Sequence, residues 1–268
     1  MNTIIVEGGK DMGNRIYPIG IQNFEKIRKE GYVYVDKTAL MYKLVKSGSY
    51  FFLSRPRRFG KSLLISTLEA YFEAKRDLFE GLAVETLEKD WVKRPVFHLD
   101  LNIGKYDTPD SLDKILNETL DYWESLYGTR SAETTLALRF AGVVGRAYEQ
   151  SGERVAILID EYDKPLLQAI GNEELQREFR NTLKPFYGVL KTMDGCIKFA
   201  LLTGVTKFGK VSVFSDLNNL NDISMDEPFI SICGITEKEI HLNFEEDLHE
   251  LAAAQKMTYQ EVCNELKA

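Results

Sequence analysis

Short apolar runs alternate with longer amphipathic stretches along most of this chain. The short runs are uninterrupted, which is typical of strands buried on both faces of a parallel sheet. In the longer stretches, apolar residues recur every three or four positions, as they do on one face of a helix. Strands are predicted at residues 50–53, 95–101, 155–159 and 197–202, and helices at residues 38–46, 61–74, 111–126, 132–150 and 173–191. This alternation predicts an α/β fold in which helices cover a parallel sheet.

Two weaker strand signals accompany this pattern. Residues 32–35 are rich in β-forming side chains, and residues 229–233 contain another short apolar run. Both runs have the length of an ordinary strand. The sequence therefore predicts short strands at these two places as well.

The last part of the chain has helical signals alone. Thr236 and Thr258 each stand three residues before a glutamate, which is the capping-box pattern of a helix N-terminus. The second helix reaches Ala268 without a stop signal, so we expect the chain to be cut inside a helical lid. The predicted organisation is a polar, flexible leader at residues 1–15, a core at 16–234 and a truncated helical lid segment at 235–268.

The strongest chemical signal is RPRRFGKS at residues 55–62, which follows a predicted strand and opens a predicted helix. This context supports the pattern G-x-x-x-x-G-K-S, in which backbone N–H groups and the helix dipole hold phosphates. Lys61 would reach the β- and γ-phosphates of ATP, and the Ser62 hydroxyl would bind Mg²⁺. The residues predicted to bind the nucleotide are Arg57, Arg58, Phe59, Gly60, Lys61, Ser62 and Leu63.

The match to the phosphate-loop pattern is imperfect. Arg55 stands at the first glycine position, and Pro56 removes one backbone donor. Gly60 still allows the backbone to approach a phosphate closely, while Arg57 and Arg58 add positive charge. The competing interpretation is an incidental Gly-Lys-Ser sequence with arginines on a solvent-exposed turn.

Acidic and hydroxyl side chains follow two other predicted strands. Asp160 stands at the edge where parallel sheets bind ligands, so we expect it to hold Mg²⁺ together with Ser62. Glu161 is placed to polarise the attacking water, and Thr203 would contact the γ-phosphate or that water. The ends of these strands meet beside one phosphate only if the strand before Thr203 lies between the strand before the phosphate loop and the strand before Asp160. The competing interpretations are that Asp160 and Glu161 are the acidic cap of a helix N-terminus and that Thr203 is an ordinary threonine at a strand end.

Composition narrows the classes of partner. The net charge of −7 argues against broad binding to nucleic acid. The three cysteines are far apart and match neither a zinc site nor a disulfide framework, which favours a reducing cytoplasm. His241 and His249 have no third ligand nearby in the sequence, which argues against a metal site. No stretch approaches the ~20 apolar residues of a membrane span, so we expect a cytoplasmic protein without a membrane partner.

Taken together, these motifs resemble the predicted AAA-ATPase-like family, which is widespread in bacteria. The matching segments are residues 18–21, 34–38, 55–62, 79–82, 158–163, 202–207, 215–220 and 234–239. The resemblance implies a P-loop ATPase core with a strand order like 5-1-4-3-2, a catalytic Glu161 beside Asp160, and a helical lid. It also places Asp36 and Lys37 near the base or ribose. Family members typically continue into a nuclease-like domain, which we expect to be absent from this chain.

Three functions are compatible with these residues. The first is hydrolysis of ATP to drive a conformational switch, with a protein partner, the nuclease-like domain or other copies of the chain. The second is a regulatory module that binds ATP or ADP with negligible turnover, which Arg55 and the lack of an assigned arginine finger favour. The third is a DNA-associated module that uses the arginines at positions 55, 57 and 58. The sequence favours the first, and the absence of a guanine-recognising Asn-Lys-x-Asp motif favours ATP.

Overall fold

The computed structural model describes residues 5–6, 10–11, 15–207 and 219–266, and it contains the predicted alternation of strands and helices. The strands are β1 (Ile5–Val6), β2 (Lys10–Asp11), β3 (Tyr50–Ser54), β4 (Val96–Asp100), β5 (Val155–Asp160), β6 (Ile197–Gly204) and β7 (Asn221–Asp222). The helices are α1 (Phe24–Lys29), α2 (Thr38–Ser47), α3 (Lys61–Phe72), α4 (Ala83–Leu87), α5 (Ser111–Tyr127), α6 (Leu136–Ser151), α7 (Lys164–Gln168), α8 (Glu173–Thr192), α9 (Glu237–Gln255) and α10 (Tyr259–Glu265). Most of the predicted leader, and motif residues 215–218, lie outside the described residues. None of the helices in these ranges is long and apolar enough to cross a membrane.

Five strands form one parallel sheet in the order β4-β5-β6-β3-β7, while β1 and β2 form a separate antiparallel pair. Numbered along the chain within the large sheet, this order is 2-3-4-1-5. The predicted order 5-1-4-3-2 is therefore confirmed, read from the opposite edge. The strand β6 lies between β3 and β5, where Thr203 pairs with Leu53 and Leu202 pairs with Ile159. The carboxyl ends of these three strands meet at one edge, where parallel sheets bind ligands.

The sheet is buried because its strands carry apolar side chains on both faces. Ile157 and Ile159 of β5 face a core shared with α5, α6 and α8. Ala156 and Leu158 face a second core shared with α1, α2, α3 and α4. Adjacent residues of a strand point to opposite faces, so one continuous apolar run fills both cores. This burial fixes the strand ends that carry the candidate functional side chains.

Residues 32–35 do not form the strand predicted for them. Tyr32 makes one isolated parallel bridge with Ile16, and Tyr34 packs against Phe24 with 5.2 Å between ring centroids. Aromatic and β-branched residues favour strands mainly because they fit a half-buried surface. Here they fit such a surface by packing against α1 instead of pairing with a neighbouring strand.

Residues 229–233 do not form the short strand predicted for them either. A 3₁₀ turn covers Glu227–Phe229, and Pro228 within it has no N–H group for a strand ladder. Phe229 and Ile232 are nevertheless buried in the core on the α3 side of the sheet. The fifth strand is the polar segment β7, which pairs with β3. The apolar residues at 229–233 therefore fill the core from a turn.

The chain divides into two compact units, Met1–Cys233 and Gly234–Ala268. In the second unit, both α9 and α10 begin with a capping box, at Thr236 and Thr258. Each threonine and its glutamate satisfy two backbone N–H groups that a helix end would otherwise leave unpaired. Apolar side chains of the two helices then form a small core of their own, which consists of Leu248, Ala252, Val262 and Cys263.

Glu88 is a buried carboxylate that joins α2, α3 and the end of α4. It accepts hydrogen bonds from the Tyr71 hydroxyl and from the N–H groups of Lys89 and Asp90, and it pairs with Lys46 at 2.9 Å. Burial alone would raise the pKa of Glu88, but the bonds from Tyr71 and Lys46 lower that pKa to about 2. Folding therefore favours the ionised form of this carboxyl group.

We expect Glu88→Gln to lower the free energy of unfolding near neutral pH by about 1–3 kcal/mol, because buried donors lose a charged acceptor. A carboxyl group whose pKa is lowered by folding stabilises the fold above its unfolded pKa, and this effect is lost as the pH falls toward the folded pKa. The difference from wild type should therefore shrink as the pH falls from 4.5 to about 2. Urea unfolding of wild type and Glu88→Gln at several pH values measures this difference in the free energy of unfolding. The exposed Glu118→Gln is the control. A difference that does not change with pH would contradict this account.

Candidate functional site

The loop between β3 and α3 has the geometry of a phosphate-binding loop. It leaves the buried strand at Ser54 and enters a 12-residue helix at Lys61, so the unpaired N–H groups of the first helical turn adjoin the loop. Gly60 has a φ of +83°, and Arg58 has a φ of +66°. Glycine adopts this left-handed conformation readily, whereas other residues do so at a cost of roughly 1–2 kcal/mol. The helix dipole favours an anion at this position.

Arg55, at the first position of the loop motif, braces the loop. Its φ is not in the left-handed region, so the position does not require glycine. Its guanidinium group donates to the carbonyl oxygens of Ser54, Ser224 and Ile230. Its backbone N–H donates to the Gly204 carbonyl oxygen at 3.1 Å. These contacts engage the Arg55 guanidinium within the protein.

Lys61 is almost completely buried, with 4% of its surface exposed. Its ammonium group donates to the carbonyl oxygens of Arg55 at 3.1 Å and Pro56 at 3.3 Å. Its third partner is Glu161, whose Oε1 atom lies 3.2 Å from Nζ. An ammonium group has three donors, so a phosphate that binds Lys61 must replace one of these partners. Glu161 is the partner that can leave by rotation of a side chain.

Asp160 and Thr203 form a buried pair at the ends of β5 and β6. The Thr203 hydroxyl donates to the Asp160 carboxylate, and both residues are buried. The backbone N–H of Glu161 also donates to Asp160, at 3.1 Å. A hydroxyl has one proton to donate, so Thr203 cannot donate to a phosphate while it holds Asp160. The Thr203 hydroxyl is thus engaged with Asp160 in this structure, and its predicted contact with the γ-phosphate or the water stays a prediction.

Glu161 combines a strained backbone with a perturbed carboxyl group. Its φ of +54° is uncommon for a residue other than glycine, and such conformations cluster at functional sites. Burial raises the pKa of its carboxyl group above the ordinary value, although the Lys61 ammonium opposes the shift. A carboxylate with a raised proton affinity is a stronger general base than an exposed one.

Asp163 joins the turn after β5 to the end of β6. Its fully buried carboxylate accepts hydrogen bonds from the N–H groups of Val205 and Thr206, at 3.1 and 2.7 Å, and from the Thr206 hydroxyl at 2.8 Å. Gly204 leaves room for this contact, because a Cβ atom there would lie 2.7 Å from an Asp163 oxygen and 2.5 Å from the Tyr162 ring. Nothing in the spacing of the sequence indicates this contact.

A cleft of about 880 Å³ opens beside the phosphate loop. The predicted nucleotide-binding and catalytic residues that line it are Arg57, Arg58, Gly60, Lys61, Ser62, Leu63 and Glu161. Sequence reasoning missed the other walls, which are formed by residues 18–22 and by Asn102, Lys164, Leu167 and Gln168. The Pro-Ile-Gly-Ile sequence at 18–21 was the available signal, because it places apolar side chains in a turn.

The remaining predicted residues do not line this cleft. Phe59 lies on the loop and is 45% exposed, and the buried Asp160 and Thr203 lie at the strand ends. The family resemblance placed Asp36 and Lys37 near the base or ribose, but neither lines the cleft. The Asp36 carboxylate accepts from the Thr38 hydroxyl at 2.6 Å and from the Ala83 N–H at 2.8 Å. Asp36 therefore joins the start of α2 to α4.

The donors around this cleft fit ATP with Mg²⁺. In the described part of the chain, the Ser62 hydroxyl and the exposed Arg57 and Arg58 side chains have no protein hydrogen-bond partner, so they are available to phosphate or a cation. The described residues contain no cluster of three His, Cys, Asp or Glu side chains that could hold a metal by themselves. Mg²⁺ commonly binds through one or two protein groups, substrate phosphates and water. Ser62 could supply such a group directly, and Asp160, which is buried beside the cleft, could hold the ion through water.

Comparison with known proteins identifies the family. A sequence model described as Predicted AAA-ATPase matches residues 18–214. A protein of Azotobacter chroococcum mcd 1, named "Uncharacterized protein in vnfD 5'region", is 41% identical over 239 residues, which is 88% of this chain. This chain spans 46% of the length of that relative. No solved structure matches this chain. Because the matched range contains the phosphate loop and the ends of β5 and β6, the chain belongs to the predicted AAA-ATPase-like family.

Proposed function

We propose that this protein binds ATP with Mg²⁺ and hydrolyses the bond to the γ-phosphate. One observation carries the proposal: Lys61 and Glu161 meet 3.2 Å apart in the cleft at the N-terminus of α3. A cation and a carboxylate with a raised pKa thus converge where a helix end favours a phosphate. Phosphoryl transfer needs these two groups, a charge that stabilises the phosphate and a residue that positions the water. The family description as predicted ATPases agrees with this proposal.

The residues of the cleft would divide the work. Arg57, Arg58 and the N–H groups at the start of α3 would hold the phosphates. Ser62 would bind Mg²⁺, with the neighbouring Asp160 holding it through water, and the ion would neutralise charge on the phosphates. Lys61 would exchange its bond with Glu161 for a phosphate oxygen, and Glu161 would then orient the attacking water and accept its proton.

A second candidate function is regulation by ATP or ADP binding with negligible turnover. The ion pair between Lys61 and Glu161 favours this function. While they are paired, the Lys61 ammonium is engaged and cannot bind a phosphate, and the Glu161 carboxylate is engaged and cannot act on water. The two candidates differ in whether a bound nucleotide separates this pair. Turnover distinguishes them, because only the first requires Glu161 to act on water.

We expect Lys61→Ala to weaken ATP binding by about 10- to 100-fold, because it removes a charge-assisted hydrogen bond worth roughly 1.5–3 kcal/mol. The measurement is calorimetric titration with ATP in the presence and absence of Mg²⁺, followed by an assay of phosphate release. Lys114→Ala is the matched control, since Lys114 is exposed on α5 and does not line the cleft.

The outcomes separate the parts of the proposal. Wild-type protein that binds no ATP would refute the proposed function. ATP binding of equal strength in wild type and Lys61→Ala would instead show that the phosphates bind elsewhere. Binding that is retained when Mg²⁺ is chelated, together with loss of phosphate release, would support the proposed role of the metal in turnover.

A further inference from the structure

A short aliphatic segment, residues 18–22, lines the same cleft as Lys61 and Ser62. Within it, Ile19 is 90% exposed, more than any other large apolar side chain among the described residues. A single exposed apolar residue is ordinary on a protein surface. The position of Ile19 in a cleft is therefore more informative than its exposure alone.

The segment is fixed at both ends. Before it, Ile16 forms a parallel bridge with Tyr32. After it, Phe24 is fully buried, and its N–H donates to the Ser66 hydroxyl oxygen of α3 at 2.9 Å. The segment is thus anchored to the same helix that begins with Lys61. Its distance from the phosphate loop is held by the fold.

The backbone of the segment is also restrained internally. The N–H of Ile19 donates to the Tyr17 carbonyl at 2.9 Å, and the N–H of Ile21 donates to the Pro18 carbonyl at 3.2 Å. Pro18 has a fixed φ, and Gly20 takes a φ of +74° that other residues adopt with strain. A ligand that packs against an already ordered loop loses little affinity to ordering it.

The cleft has more room than a phosphate chain needs, and its remaining walls have the chemistry of a base site. Its volume of about 880 Å³ is in the range of pockets that enclose a whole nucleotide-sized ligand. Leu167 adds an apolar surface from α7. The Gln168 Oε1 atom accepts from the Tyr106 N–H at 2.8 Å, so the Gln168 amide nitrogen is left to donate. A nucleobase has flat apolar faces and acceptor nitrogens at its edge, which suit an aliphatic wall and an amide donor.

We propose that residues 18–22 form a base-binding wall and that Ile19 packs on the face of the nucleobase. This inference rests on the proposed binding of a nucleotide in the cleft. It divides recognition between two segments: the loop at 55–62 holds the phosphates, and the wall at 18–22 holds the base. The nucleoside, and not the phosphates alone, then contributes to affinity.

The test compares ATP with tripolyphosphate, which carries three phosphates but neither base nor ribose. We expect Ile19→Ser to weaken ATP binding about tenfold, because the base loses an apolar contact, and to leave tripolyphosphate binding unchanged. Leu138→Ser is the matched control, since Leu138 is half exposed on α6 and does not line the cleft. Titration calorimetry of wild type and both variants with each ligand gives the four comparisons needed.

Each outcome bears on a different claim. Unchanged ATP affinity in Ile19→Ser, or equal weakening of ATP and tripolyphosphate, would overturn the base-binding wall and leave the proposed function standing. Wild-type protein that binds neither ligand would overturn the proposed function and the wall together. Thermal unfolding of Ile19→Ser should match wild type, because the Ile19 side chain is exposed before a ligand binds.

Discussion

Replacing Glu161 by glutamine should lower the rate of ATP hydrolysis by about 100- to 10,000-fold, because an amide cannot accept the proton of the attacking water. ATP affinity should stay at the wild-type level or rise, since the uncharged side chain no longer competes with phosphate for Lys61. Steady-state phosphate release measures the first effect and calorimetric titration with ATP measures the second. Glu118→Gln, an exposed substitution on α5, is the matched control.

The Glu161 variant also separates the two candidate functions. A rate close to that of wild type would contradict the role of Glu161 as the base. Wild-type protein that binds ATP tightly but releases no phosphate would favour the regulatory module. A gain in ATP affinity in the variant would agree with the loss of the ion pair, which frees Lys61 and removes a negative charge from the cleft.

Asp163→Ala should lower the free energy of unfolding by about 3–5 kcal/mol, because several buried donors lose their acceptor at once. The N–H groups of Val205 and Thr206 and the Thr206 hydroxyl all depend on this carboxylate. Urea unfolding monitored by circular dichroism measures the loss. Asp163→Asn keeps one acceptor oxygen and should lose less stability than the alanine variant.

The control for Asp163 is Asp107→Ala, which removes an exposed carboxylate and should change stability by no more than about 0.5 kcal/mol. Equal stability of wild type and Asp163→Ala would contradict the hydrogen bonds described at the end of β6. In Asp163→Asn, we expect turnover to fall more than ATP affinity, since the end of β6 also carries Thr203, whose hydroxyl donates to Asp160.

The fold class followed from the sequence because the evidence for it is local. Each buried strand is a continuous apolar run, and each helix repeats its apolar residues at helical spacing. The position of β6 between β3 and β5 followed from one chemical requirement, that Asp160 and Thr203 lie near the phosphate loop, and the full order came from the family resemblance. The two weaker strand predictions were wrong because the side chains at 229–233 reach the core from a turn, and those at 32–35 pack half-buried without a pairing strand, so each run has the local composition of a strand.

Part of the candidate site was predicted because its signal in the sequence is also local. The phosphate loop is one continuous segment, so its residues could be read from a single motif. The position of residues 18–22 beside this loop and the contacts of Asp163 depend on residues distant in the sequence. The Asp163 carboxylate and the N–H of Thr206 are 43 positions apart, and Arg55 reaches Ser224 over 169 positions. No local pattern reports such pairs, because tertiary packing alone brings them together.

Arg55 has a consequence for searching and redesign. A search that demands glycine at both ends of the loop would discard this chain, although the backbone at position 55 has no need of glycine. A redesign that restored the common motif there would delete three carbonyl contacts, two of which join the loop to the segment after β7. The residue that departs furthest from the motif is the one that a motif-guided redesign should leave in place.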